Sequence, residues 1–226
     1  MGHLDLMRAF MMAIRRVGLS VDYSEGFNPH MLLYFSPPLP VGLSSLAEYF
    51  AASSSECPQD FMVRLNTSLP KGLKILAASK VDKNPNFANM AVANSYEVVL
   101  EKASDLSADI AKMLSSTSFD ITYTQKENQI TKDVRSRILL ANGSKKTYTF
   151  TLLSGALNLR PDRLMSQLLA SINQTFYTST KTAQYALKTK CTNIETLHKT
   201  QTPLTPLINF DELFFHNEIY QQRIRL

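Results

Sequence analysis

The chain has 226 residues, enough for one large domain or two small ones, each with a real core. Its +5 net charge is spread thinly: eight basic against seven acidic groups to residue 90, ten against eight to 175, six against four beyond. That spread argues against a dedicated basic nucleic-acid tract, and no apolar run reaches the roughly 18–20 residues of a membrane span.

Leu4 to Val17 carries helical periodicity. Leu4, Met7, Met11 and Ile14 make a stripe that Leu6, Phe10, Ala13 and Val17 widen. Asp5, Arg8, Met12, Arg15 and Arg16 share the opposite face, and Gly18 supplies the stop. Tyr23-Ser-Glu-Gly-Phe-Asn-Pro-His30 follows as a polar turn specified residue by residue. Gly26 and Asn28 tolerate positive φ, and Pro29 fixes its own φ and extends its predecessor.

His30 to Ser36 is predicted as a strand closed by Pro37-Pro38 and Pro40-Val-Gly42, and Ser45 to Ser53 as its hairpin partner. A short helix from Asp60 to Ser68 and a strand from Leu73 to Val81 complete the first set. Lys83 to Ala93 reads as a linker. Then come a strand at Ser95–Glu101, a helix at Ser104–Ser116 capped by Ser104, and strands at Phe119–Thr124 and Arg135–Ala141. Asn142-Gly-Ser-Lys-Lys146 is predicted as an Asn-Gly turn before a strand at Thr147–Leu153. A helix at Arg160–Asn173 admits Pro161 in its first turn, and Thr175–Lys188 is strand-like.

The order predicts an α+β chain of two tandem ferredoxin-like (split βαβ) domains, the first lacking its first strand, plus a C-terminal tail. The boundaries are 1–90 (linker from 83), 91–190, and 191–226. In that topology the missing strand is interior and leaves backbone groups unpaired. Either the chain starts inside a longer protein, or a partner or the chain's own tail fills the slot. Tyr220-Gln-Gln-Arg-Ile-Arg-Leu226 alternates enough to serve. Thr200–Pro206 is a Pro/Thr-rich connector, and Asn209–Leu213 a helix-capping segment leading to Phe214, Phe215, Ile219 and Tyr220.

Cys57 and Cys191 have neither disulfide-framework nor metal spacing. With no secretory leader in view, two free thiols in a reducing cytoplasm are expected, and the Asn-x-Ser/Thr tripeptides carry no weight.

His3-Leu-Asp-Leu-Met-Arg8, Arg15-Arg16, Tyr23–His30 and Pro38-Leu-Pro-Val-Gly42, with Ser154-Gly-Ala-Leu-Asn-Leu-Arg-Pro-Asp162 further on, resemble the bacterial radical-SAM-associated domain family. The resemblance covers roughly residues 3–175. It implies a partner, since members are fused to a radical SAM protein or encoded beside one. The paired ferredoxin-like domains of CRISPR repeat-associated RNA-binding proteins look similar, an analogy of fold only.

The candidate binding residues are therefore His3, Asp5, Arg8, Arg15 and Arg16 on the helix, Tyr23, Ser24, Gly26, Phe27, Asn28, Pro29 and His30 in the loop, and Asn158 and Arg160 at the later strand-to-helix junction. Arg8, Arg15 and Arg16 form either a solvated face or a phosphate-contacting one. The loop is either a binding loop or a shaped turn whose polar groups satisfy one another. Asn158 is expected to cap the following helix, with Arg160 placed to meet an anion. No metal or cofactor is expected. The chain has no phosphate-loop or dinucleotide glycine pattern, no nucleophile elbow and no three-cysteine radical SAM motif. His3, Asp5 and His30 would make a catalytic set only if the loop returned along a helix about 20 Å long. A non-catalytic module recognising RNA or a ribosome-related substrate is the first expectation. A protein-interaction subunit and an enzyme built on those three residues are the alternatives.

Overall fold

Helix α1 (His3–Arg16) buries Leu6, Phe10, Ala13 and Ile14 on one side. Leu6, Phe10 and Ala13 are positions expected only to widen the stripe; of the stripe itself Ile14 is buried, and Leu4 is 66% exposed. The computed structural model describes residues 1–170, 172, 177–187, 204–206 and 220–225, the last two stretches as backbone strands. The expected connector upstream of 204, the capping segment and apolar residues at 209–219, and Cys191 lie outside the described residues. The chain divides into two compact units. One is Met1–Ala91 with Gln184–Ala186 and Leu204–Leu226, the other Val92–Ala183 with Leu187–Pro203.

In the first unit β1 (Leu33–Phe35) pairs antiparallel with β3 (Glu48–Ala52). The single strand expected over 45–53 is broken. A two-residue strand, β2 (Ser44–Ser45), precedes it, and the Ser45 hydroxyl accepts the Ala47 N–H at 3.1 Å while donating to Glu48 at 2.7 Å. Such local side-chain bonds compete with a sheet ladder and bend the chain. Helix α2 (Pro58–Asn66) starts two residues earlier than expected, with proline in its first turn. β4 (Lys74–Ser79) follows.

Every residue of β3 is buried, because both its faces are covered. Phe50 and Ala52 join a core with Leu6, Phe10, Ile14, Phe61, Leu65 and Ile75. Phe10 sits edge-on to Phe35 and Phe50, at 5.6 and 4.8 Å between ring centroids, a favoured aromatic geometry. Ala47, Tyr49 and Ala51 turn the other way, onto Phe87, Ala91 and Ala186. The expected linker thus contains a short helix, α3 (Phe87–Met90), which exists to seat Phe87, only 1% exposed. Gln184 joins the same unit by donating to the Ala47 carbonyl (2.6 Å) and Ser36 Oγ (3.2 Å).

The second unit runs β5 (Ala93–Leu100), α4 (Ser107–Ser115), β6 (Asp120–Gln125), β7 (Asn128–Asp133), β8 (Ile138–Ser144), β9 (Thr147–Leu153), α5 (Pro161–Ala170) and β10 (Tyr177–Leu187) apart from Gln184–Ala186. Its strand order is β10-β5-β9-β8, with β6 and β7 forming a separate hairpin in the stretch between the expected strands. Ser104 is not the cap of α4. The helix begins at Ser107, whose N–H donates to the Asp105 carboxylate at 2.9 Å. Buried Tyr148 steers the approach: its hydroxyl donates to the Ser104 carbonyl (2.7 Å) and accepts the Leu106 N–H (2.9 Å).

The Asn142-Gly143 signal also resolves differently. Both residues lie inside β8, and the two-residue turn is Lys145-Lys146, with Lys145 at φ +58. Gly143 serves close approach instead. A Cβ there would meet the Thr147 carbonyl at 2.4 Å and Tyr148 Cα at 2.6 Å.

The remaining described strands are β11 (Leu204–Pro206) and β12 (Tyr220–Arg225). β12 runs between β3 and β4, antiparallel to both, giving the first unit the order β1-β3-β12-β4. An interior strand of this sheet is thus supplied by a segment far along the chain from its neighbours. The described chain is thus α+β, with five α-helices, and none of its helices is long and apolar enough to cross a membrane.

Candidate binding surface

The Tyr23–His30 loop is built on an extension of the first unit's sheet. The Asp22 N–H donates to the Ser53 carbonyl (2.9 Å), the Leu32 N–H to Asp22 (2.9 Å), and Tyr23 bridges Met31. Above this base the neck is clamped. The Ser24 N–H donates to the His30 carbonyl at 2.9 Å and the His30 N–H to Ser24 Oγ at 3.1 Å, while Ser24 Oγ shares a hydrogen bond with His30 Nδ1 at 2.8 Å. Of the two positions expected to tolerate positive φ, only Gly26 uses it, at +114. Residues 25–29 stand in solvent, and Phe27 is 105% exposed, with Tyr23 46% exposed at the neck. An aromatic side chain held wholly in water by a polar clamp is uncommon, since such residues dominate cores and interfaces.

The carboxyl end of α1 lies at this same end of the unit. Gly18 takes φ +61, and the Leu19 N–H closes onto the Ile14 carbonyl. Arg64 pins that terminus by donating to the Val17 and Gly18 carbonyls at 2.6 and 3.1 Å, while both Glu56 carboxylate oxygens hold it at 3.2 and 3.0 Å. Arg15 and Arg16 are exposed, and among the described residues neither has an ion-pair partner. Arg8, one turn and more upstream, is 3.7 Å from Asp5, an exposed pair worth little.

His3 and Asp5 belong to the opposite end. Asp5 accepts the Gly2 N–H at 3.3 Å, and the His3 ring meets Phe35 edge-on at 6.0 Å. His30 lies ahead of β1 beside the loop and Phe35 at the far end of that strand, so His3, which meets Phe35, and His30 face separate ends of the unit. No hydrogen bond joins any two of His3, Asp5 and His30, and no group of three or more His, Cys, Asp or Glu among the described residues is placed to hold a metal ion.

Around His3 lies a cavity of about 190 Å³, with Leu6, Phe35, Leu39 and Leu73 as apolar walls and Glu48 on its floor. Glu48 is 4% exposed and accepts hydrogen bonds from Ser45 Oγ (2.7 Å) and Ser36 Oγ (3.2 Å). Glu48 is not among the residues that the sequence marks as candidates. Its only signal was a lone acid in an apolar strand pattern.

In the second unit Asn158 does not cap α5, which begins three residues later at Pro161. The anion that Arg160 meets is the chain's own. Its Nε and Nη2 donate to the two Asp162 oxygens at 2.9 and 2.8 Å, and this hydrogen bonding raises the guanidinium pKa further. Burial raises that of the nearby Tyr177 phenol. Arg163 lies over the Tyr123 ring, 3.7 Å from its centroid, tying α5 to the β6–β7 hairpin.

No curated protein and no solved structure matches the chain. A family model described as "uncharacterized protein conserved in bacteria (DUF2344)" matches residues 1–161. Because that match spans well over half of the chain, the protein belongs to this bacterial family.

Proposed function

We propose that the chain is a non-catalytic binding module of the cytoplasm that works beside a radical SAM protein and recognises RNA or a ribosome-related substrate. The observation that carries this reading is that exposed cations and an aromatic loop clamped at its neck lie at one end of the first unit. Arg15 and Arg16 stand at the helix end from which the chain enters the Tyr23–His30 loop. Arginines on a rigid helix suit phosphate contacts, while an ordered polar loop suits recognition. The radical SAM partner rests on the resemblance of the motifs in residues 3–42 and 154–162.

The fold reading that accompanies it is a pair of ferredoxin-like sandwiches. In its favour, both β10-β5-β9-β8 and β4-β12-β3-β1 follow the split βαβ order, the second with the tail strand in the first-strand position.

The test is RNA binding by the full chain across a salt series. Each phosphate contact to a single strand contributes about 0.7 to the slope of log K against log salt, so Arg8→Ala, Arg15→Ala and Arg16→Ala together should flatten it by about 2. Binding that ignores both salt and the substitutions overturns the proposal. The competing reading is a protein-interaction subunit, for which Phe27 would be an anchor. It expects a radical SAM protein to be retained by the wild-type chain with no RNA bound.

A further inference from the structure

We infer that Phe27 is a stacking platform for an unpaired base, so that the RNA recognised is single-stranded. This rests on the RNA reading above and narrows it.

Three features of the loop converge. The Phe27 ring is wholly exposed, and nothing lies within 4 Å of the position a Cβ would take at neighbouring Gly26, so the tip is open on that side. The Ser24–His30 hydrogen bonds and the Tyr23–Met31 bridge close the neck, so the two ends of the loop are already fixed before binding. Glu25, exposed beside it, repels phosphate. The tip is therefore suited to the uncharged face of a base, and the phosphates are left to Arg15 and Arg16. A lone projecting ring also needs a base that is out of its helix. The paired bases of an A-form duplex sit in a deep, narrow major groove and are already stacked, whereas unpaired bases offer open faces.

The experiment uses the full chain and two labelled probes, a single strand of about 12 nucleotides and a hairpin duplex of the same composition, a length within the usual single-strand site sizes. Phe27→Ala should weaken single-strand binding roughly 5- to 150-fold, the usual range for losing one base–aromatic stack. Phe27→Trp should keep affinity. The chain has no tryptophan, so this variant introduces its sole indole, whose fluorescence should be quenched as the single strand binds. The fully exposed position keeps both variants folded, which an unchanged thermal transition checks. Salt-sensitive binding that Phe27→Ala leaves within twofold, or equal affinity for the duplex, overturns the stacking inference and leaves the RNA reading standing. No binding of either probe at low salt overturns both. Loss of a radical SAM partner from Phe27→Ala, with RNA affinity intact, makes Phe27 a protein anchor and overturns the inference too.

Discussion

Replacing Ser24 by alanine isolates the clamp that presents Phe27. The substitution removes the acceptor of the His30 N–H at 3.1 Å and the 2.8 Å partner of His30 Nδ1, and leaves the Ser24 N–H to His30 carbonyl bond in place. A typical hydrogen bond contributes about 0.5–1.5 kcal/mol net, and these two are exposed, so the lower half of that range applies to each. About 1–2 kcal/mol of local stability should go, raising the open population of the loop roughly 5- to 30-fold. Both bonds are also lost on global unfolding, so global stability should fall by no more than that same amount, about 1–2 kcal/mol. Amide hydrogen exchange reads both quantities at once. The Ser24 and His30 amides should exchange faster by that factor, and the amides of β3 should remain far more protected than either. Unchanged exchange at Ser24 and His30 would show that the neck is held by something other than this clamp. Neck amides as protected as those of β3 before the substitution would show that the loop is part of the core's cooperative unit.

Other substitutions test how the two units are held. Gly143→Ala should destabilise the chain by at least about 2 kcal/mol in a urea melt, since its Cβ would sit 2.4 Å from the Thr147 carbonyl at φ +137; a cost under 1 kcal/mol refutes the close approach. Arg64→Ala should cost about 1–2 kcal/mol through loss of the α1 carbonyl contacts and the half-exposed Glu56 pair, and Arg64→Lys should not restore it, because an ammonium lacks the planar fork. Tyr148→Phe should cost about 1–3 kcal/mol by leaving the buried Leu106 N–H without its acceptor, with increased exchange at the start of α4 as the local signature.

A pH dependence follows from Asp133. Its carboxylate accepts the Phe119 N–H at 2.8 Å and the Arg135 N–H at 3.0 Å, and these bonds hold its pKa below the ordinary aspartate value. A depressed folded pKa contributes stability above the unfolded value and loses it as pH falls through the folded one. Asp133→Asn should therefore destabilise the wild-type chain at neutral pH, and the gap between the two should close in acid. A gap constant down to pH about 2 would refute the assignment.

What residues 1–53 do was largely legible, because the signals there are local. The 3.6-residue period of α1, its glycine stop and the prolines after Phe35 each act within a few positions. The Asn-Gly signal at 142–143 failed for the opposite reason. Turn chemistry there gave way to the register of β8 on β9, which needed a residue without a side chain inside the strand. The linker at 83–93 hid a helix because Phe87 had a partner surface, Tyr49 and its neighbours, that no local pattern announces.

The candidate site divides in the same way. The sequence alone marked the Tyr23–His30 loop as specified and placed arginines on the solvent side of α1, since glycine, proline and helical periodicity act on their own neighbours. Only the tertiary structure decided that His3 and His30 face separate ends, that Arg160 is held by Asp162, that Phe27 stands clear of every wall, and that β12 lies between β3 and β4. Each of those outcomes depends on which surface a distant segment covers, and burial, unlike periodicity, is a property of the whole packed chain.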